Sequence, residues 1–315
     1  MSNRTKMILL AIGAVLLVLI YIFIGITGNW DYILPRRATR VLAIVMTGAV
    51  IALSTIIFQT ITNNRILTTS LIGLDSLYLL IQTFIIFVYG STSITALDKN
   101  LNFFIAIGFM IAFALFLFNV LFKKGRNIYL LLLIGLIFGT FFQSLSSFMQ
   151  VLIDPNEFFI VQNKMFASFN NVDTDLLYLS IGILFITCLY LAKYVKYLDV
   201  LSLGKEHAIN LGLDYDHIVK RLMIVIAILV SVATALVGPI MFLGILVANV
   251  AKEMFKTYRH TYLIPASILI SIIALVGGQL VVDRIFTFST TLSVIINFIG
   301  GTYFLYLILK ENKTW

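Results

Sequence analysis

The sequence predicts an all-α protein that crosses a membrane about ten times, and three observations carry that prediction. Of its 315 residues 61% are hydrophobic and only 11% charged, with a mean hydropathy of +1.05, whereas a soluble globule of this length needs far more polar surface. Apolar runs recur near the ~20 residues needed to cross ~30 Å of hydrocarbon. The 22 lysines and arginines gather at alternate connections between those runs, the pattern expected when cytoplasmic loops collect Lys and Arg. One cysteine, Cys188, sits inside an apolar run, so neither an intrachain disulfide nor a cysteine metal site can form. His207, His217 and His260 lie in basic, polar stretches without ligand spacing. The net charge of +8 belongs to topology: no basic tract is interleaved with aromatics, and no nucleic-acid partner is expected.

The first run, 7–26, follows Arg4 and Lys6 and closes on no small-residue cleavage site, so it reads as a span and not a removable signal. Further spans are 41–61, 71–89, 101–122, 128–153, 176–192, 222–237, 240–251, 262–282 and 292–309. The uncharged interval 222–251 is short for two spans and long for one. Lys220 and Arg221 precede it and Lys252, Lys256 and Arg259 follow it, so both ends lie on one side. The chain then turns at Gly238-Pro239, where Gly permits the bend and Pro cannot donate to a helix. Short broken helices at membrane depth occur where protein or a watery path surrounds them; a single kinked span is the alternative. With the amino terminus inside, Arg36, Arg37, Arg40, Lys99, Lys164 and Arg284 fall outside. The other sixteen basic residues, among them Lys123, Lys124, Arg126 and Lys313, fall inside. Both termini are then cytoplasmic, and residues 1–315 read as one transmembrane unit.

The polar interval 198–221, LDVLSLGKEHAINLGLDYDHIVKR, reads as two short helical turns punctuated by Gly204 and Gly212. That suits a docking element; a plain solvated loop is the alternative. Proton-driven carriers keep acids or histidines deep in their spans, at a cost of ~2.5–3.5 kcal/mol each. Here Asp75 stands out, about a turn from the expected cytoplasmic boundary, where snorkelling or a helix N-terminal role accounts for it. Gly204-Lys205 is followed by Glu206, not by the Ser or Thr of a phosphate-binding loop. Uphill transport would therefore draw its work from a separate subunit. A self-contained secondary carrier would need an ion site, such as carbonyls around Gly238-Pro239. An intramembrane enzyme would need a nucleophile and base, which the spans lack.

Specific residues carry a resemblance. Residues 40–59, RVLAIVMTGAVIALSTIIFQ, with Asn64 and Leu71-Ile72-Gly73, resemble the opening membrane motif of the FecCD family, the permease subunits of bacterial ABC importers for iron-siderophore and vitamin B12 complexes. Leu203-Gly204-Lys205-Glu206, with Ala208 and Leu211-Gly212, is similar to that family's cytoplasmic coupling segment. Residues 237–247, VGPIMFLGILV, resemble its Gly-Pro motif, and 297–305, NFIGGTYFL, its closing Gly-aromatic motif. The chain departs from the family pattern at Thr39, Arg65, Thr68-Thr69, Lys252, Ser293 and Gly301-Thr302. Ala248-Asn249 replaces the usual Pro-His, similar to a subgroup associated with catechol-containing ferric siderophores such as petrobactin and anguibactin.

The resemblance implies a type II importer permease in the bacterial cytoplasmic membrane, without catalytic residues, bound cofactor or metal of its own. Its partners would be ABC ATPase subunits holding ATP and Mg, an extracytoplasmic substrate-binding lipoprotein, and a second permease, a sister chain or a second copy. Leu203, Ala208 and Leu211 would supply apolar contact to the ATPase, Lys205 and Glu206 a polar rim, and Gly204 and Gly212 the boundaries. Arg37, Arg40 and Arg284 match external arginines that face carboxylates on the binding protein, where rim charges steer encounter; snorkelling from span ends is the alternative. The path would be lined from the second, fifth, eighth and tenth spans, with Gln59, Gln143, Ser147, Gly238, Pro239 and Asn297 as candidates. Helix-packing hydrogen bonds would place the same polar residues equally well.

Overall fold

Side-chain caps set where five of the helices begin. The computed structural model describes residues 2–25, 28–90, 99–121, 128–170, 172–286 and 290–311, and in them twelve α-helices and one 3-10 turn, with no strand. Ser2 accepts from the Thr5 amide to open α1 (Asn3–Phe23), and Asn29 accepts from Asp31 to open α2 (Trp30–Thr62), which stops at Asn63 in the left-handed region. The 3-10 turn Thr69–Ile72 leads into α3 (Leu74–Tyr89), followed by α4 (Lys99–Leu121) and α5 (Ile128–Leu152). Asp154 and Pro155 start α6 (Pro155–Lys164), and Asp173 caps α7 (Thr174–Leu201). Then come α8 (Lys205–Asn210), α9 (Tyr215–Val237, capped by Asp214), α10 (Leu243–Phe255), α11 (His260–Arg284) and α12 (Leu292–Glu311). Such caps satisfy amides that the first turn leaves without partners.

Helices α1, α2, α4, α5, α7, α9 and α11 are long and apolar enough to cross a membrane; α3 and the Leu292–Leu307 part of α12 are apolar but shorter. The middle of the bundle is α2 and α9, both mostly buried, with α11 and α10 packed on α2 and with α4 and α7 packed on α9. In contrast α1 leaves Ile8, Ile12, Val15, Leu19 and Phe23 exposed. The contact of the 3-10 turn with α5 depends on a small residue: a Cβ at Gly135 would lie 2.8 Å from the Leu71 carbonyl oxygen.

Several sequence expectations change. Helix α2 begins at Trp30 and α7 runs on to Leu201, because caps and polar terminal turns extend each helix beyond its apolar run. Helix α6 was not expected; its composition is polar and its start is a Pro-Asn pair. Within 198–221 only 202–214 lies outside the long helices, and it holds one helix, α8, instead of two short turns. The 222–251 interval resolves as two helices joined by the non-helical 238–242, since α9 starts seven residues before Leu222. Gly238, at φ +99°, makes the turn, and a Cβ there would come 3.0 Å from Ala167 Cα. The Ser168 amide donates to the Val237 carbonyl at 2.9 Å, so the unwound backbone finds partners inside the protein. Asp75 is buried in the first turn of α3, with the Thr234 hydroxyl donating to it at 3.5 Å. A carboxylate so enclosed cannot snorkel, which leaves the N-terminal role. The predicted span ends Ile26 and Phe122, and Lys123, Lys124, Arg126 and Lys313, lie outside the described residues.

Candidate functional site

At one end of the bundle α8 stands clear of the long helices. Its boundaries are two glycines in the left-handed region, Gly204 at φ +96° and Gly212 at φ +85°, conformations that cost other residues strain. The chain closes tightly around it: the Leu213 amide donates to the Ala208 carbonyl at 3.1 Å, and the Gly212 amide to that of Ile209 at 2.9 Å. Lys205 forms an exposed ion pair with Asp216 at 3.3 Å and lies 5.5 Å from the Tyr215 ring centroid, while the Tyr215 hydroxyl donates to the Ile61 carbonyl at 3.4 Å. Helix α8 is thus braced against α9, whose first turn is itself tied to the end of α2.

This geometry corrects one assignment and adds another. Ala208 is fully buried against its own chain, so it is a packing residue and not part of the outward apolar contact. Leu203, Leu211 and Ile209 are the exposed apolar side chains, beside exposed Lys205 and Glu206. Ile209 was missed: only once the structure turns Ala208 inward does helical spacing turn the residue after it outward.

At the opposite end three arginines converge on the last turn of α1. Arg37 Nη1 donates to the carbonyls of Ile22 and Ile24, each at 2.8 Å, and Arg284 Nη2 donates to that of Ile24 at 2.7 Å. Cations placed on these orphan carbonyls favour the negative end of the helix dipole. Arg40 instead pairs with Asp283 at 3.1 Å and donates to the Tyr21 hydroxyl at 3.0 Å, while Tyr21 donates to the same carboxylate at 2.9 Å. Gln279 holds the other carboxylate oxygen at 2.7 Å. Arg40 therefore does not belong among the outward-facing arginines: its partner is inside the chain. Arg37 is half-buried, and Arg284 and the neighbouring Arg36 are exposed. An open cavity of about 560 Å³, lined in part by Arg36, Asp31 and Asp173, lies at this end.

The path candidates separate into two groups. Gln143 and Ser147 are exposed on α5, and Thr140 and Ser144 join them in a polar stripe at helical spacing. Asn297, on α12, is half-buried, and its Oδ1 has no hydrogen-bond partner among the described residues. Gly238 and Pro239 are buried in the α9–α10 connection. Gln59 is also buried, accepting from Lys252 at 2.7 Å and donating to the Arg65 carbonyl at 2.7 Å. These six residues do not line one cavity of this chain: a surface on α5 is separate from an interior set. Among the described residues no cluster of three or more His, Cys, Asp or Glu could hold a metal ion.

Comparison with known proteins adds the following. The profile of the FecCD transport family matches residues 5–310. Petrobactin import system permease protein YclO of Bacillus subtilis is 63% identical over the full length of both chains. Petrobactin import system permease protein FatC of Bacillus anthracis is 35% identical over 89% of this chain and 79% of its own. Among solved structures, an inward-facing metal-chelate type ABC transporter superposes with a TM-score of 0.86 at 21% identity, covering 98% of this chain and all of that one.

Proposed function

The chain belongs to the FecCD transport family, and from that premise we propose that it is the permease subunit of an ABC importer moving a ferric siderophore of the petrobactin type across the cytoplasmic membrane. The closely similar petrobactin permease supports the cargo class. The observation that carries the mechanism is the braced α8 with Leu203, Ile209 and Leu211 bare. An apolar knob fixed at its base by two glycine turns transmits a push or pull to α7 and α9, whereas a slack loop would absorb it. ATPase subunits, which hold ATP and Mg, would seat this knob in a groove, and their closure would rock the spans about a central path.

The path lies between this chain and a second permease, a sister chain, facing the polar stripe of α5. On the outer side Arg36, Arg37 and Arg284 would meet carboxylates of a substrate-binding lipoprotein, and both termini would lie in the cytoplasm. This chain carries no catalytic step of its own. The test is reconstitution in liposomes: the permeases with their ATPase and binding protein accumulate ferric petrobactin only with ATP, and orthovanadate stops uptake. Accumulation against a gradient by this chain alone would overturn the proposal.

A further inference from the structure

A cavity of about 470 Å³ opens at the α8 end of the bundle, between the end of α2, the end of α10 and the start of α11. Arg65, Lys252 and Lys256 line it, and no carboxylate is among its lining residues. Two amides hold this wall in place: Gln59 bridges Lys252 Nζ and the Arg65 carbonyl, and Asn249 Nδ2 donates to that same carbonyl at 3.0 Å. Arg65 stands close enough to Lys252 for like-charge repulsion. The carboxylate of Asp199 is already engaged by the His260 ring at 2.6 Å and by its backbone amide at 2.9 Å. Three cations gathered around a void, of which Lys252 is held by a neutral amide, repel one another until an anion enters. A phosphate group supplies several acceptor oxygens to such donors and forms short charge-assisted hydrogen bonds with them.

We propose that this cavity binds a phosphate-bearing anion, and its position where helices leave the hydrocarbon points to the headgroup of an anionic phospholipid; free phosphate shares the chemistry. The site is independent of which cargo is carried. Native mass spectrometry and thermal melting of the full-length protein in detergent, titrated with phosphatidylglycerol, phosphatidylcholine or inorganic phosphate, distinguish the sources. Phosphatidylglycerol is expected to be retained and to raise the melting temperature where phosphatidylcholine does not. The double variant Arg65→Gln/Lys256→Gln changes only exposed side chains, so it folds as the wild type does, and it should weaken retention about tenfold or more. The same stabilisation by inorganic phosphate would assign the site to the free ion. Equal retention of the two lipids with no effect of phosphate, or a double variant that binds as the wild type does, overturns the proposal. So does a variant that keeps lipid binding and loses only co-purification with the ATPase, because the cations would then face a protein.

Discussion

Arg40 and Arg284 end at the same corner of the molecule and do different things there. Arg40 neutralises the enclosed carboxylate of Asp283, a residue 243 positions away in the chain, while the Arg284 guanidinium, next to Asp283 in sequence, reaches the surface. Removing one member of an enclosed pair leaves the other charge without compensation, so Arg40→Ala should cost about 3 kcal/mol of stability, read as a lower melting temperature in detergent. Arg284→Glu should leave membrane insertion intact while slowing association of the binding protein, measured as a reduced on-rate whose deficit shrinks in high salt, where the reversed charge is screened. The sequence showed arginines at the ends of spans. It could not show which of them faces a carboxylate, because the partners come from opposite ends of the chain and meet only when α2 packs on α11.

At the scale of the element, α8 and the α9–α10 turn are both bounded by glycine, and both were visible as punctuation. What stayed hidden was the direction of each residue between the glycines, since a six-residue helix is too short for a periodic pattern to declare its inner face. Leu211→Asp should leave the protein folded and loosen the tie between ATP hydrolysis and uptake, seen as ATPase turnover that continues while transport falls. Ala208→Asp places a charge in a fully buried site and should instead lower the yield of folded protein, assayed by size-exclusion chromatography. Gly238→Ala meets both a φ of +99° and the Ala167 backbone. The left-handed region alone costs an L-residue about 1–2 kcal/mol, so the variant should melt at a lower temperature, and more so than an alanine placed at the open Gly182 position, where no atom lies within 4 Å.

The whole molecule presents two kinds of outer surface, an apolar one typified by α1 and a polar stripe on α5. The stripe is the face expected to meet the second permease across the path. Cysteine at Ser147 should therefore cross-link to a cysteine on the facing helix of the partner permease, while cysteine at the lipid-facing Val15 should not, as read by non-reducing electrophoresis. The sequence by itself determined the membrane class, the order of the apolar helices and the glycines at which several of them stop, because hydrophobic length and glycine or proline chemistry are local properties. Only the tertiary structure decided which residues look outward, which arginines are already paired, and that Gln59, Lys252 and Arg65 share one cavity. The physical reason is that lipid tails are as apolar as a protein interior: a spanning helix is hydrophobic on every side, and its periodicity does not reveal which side another helix covers.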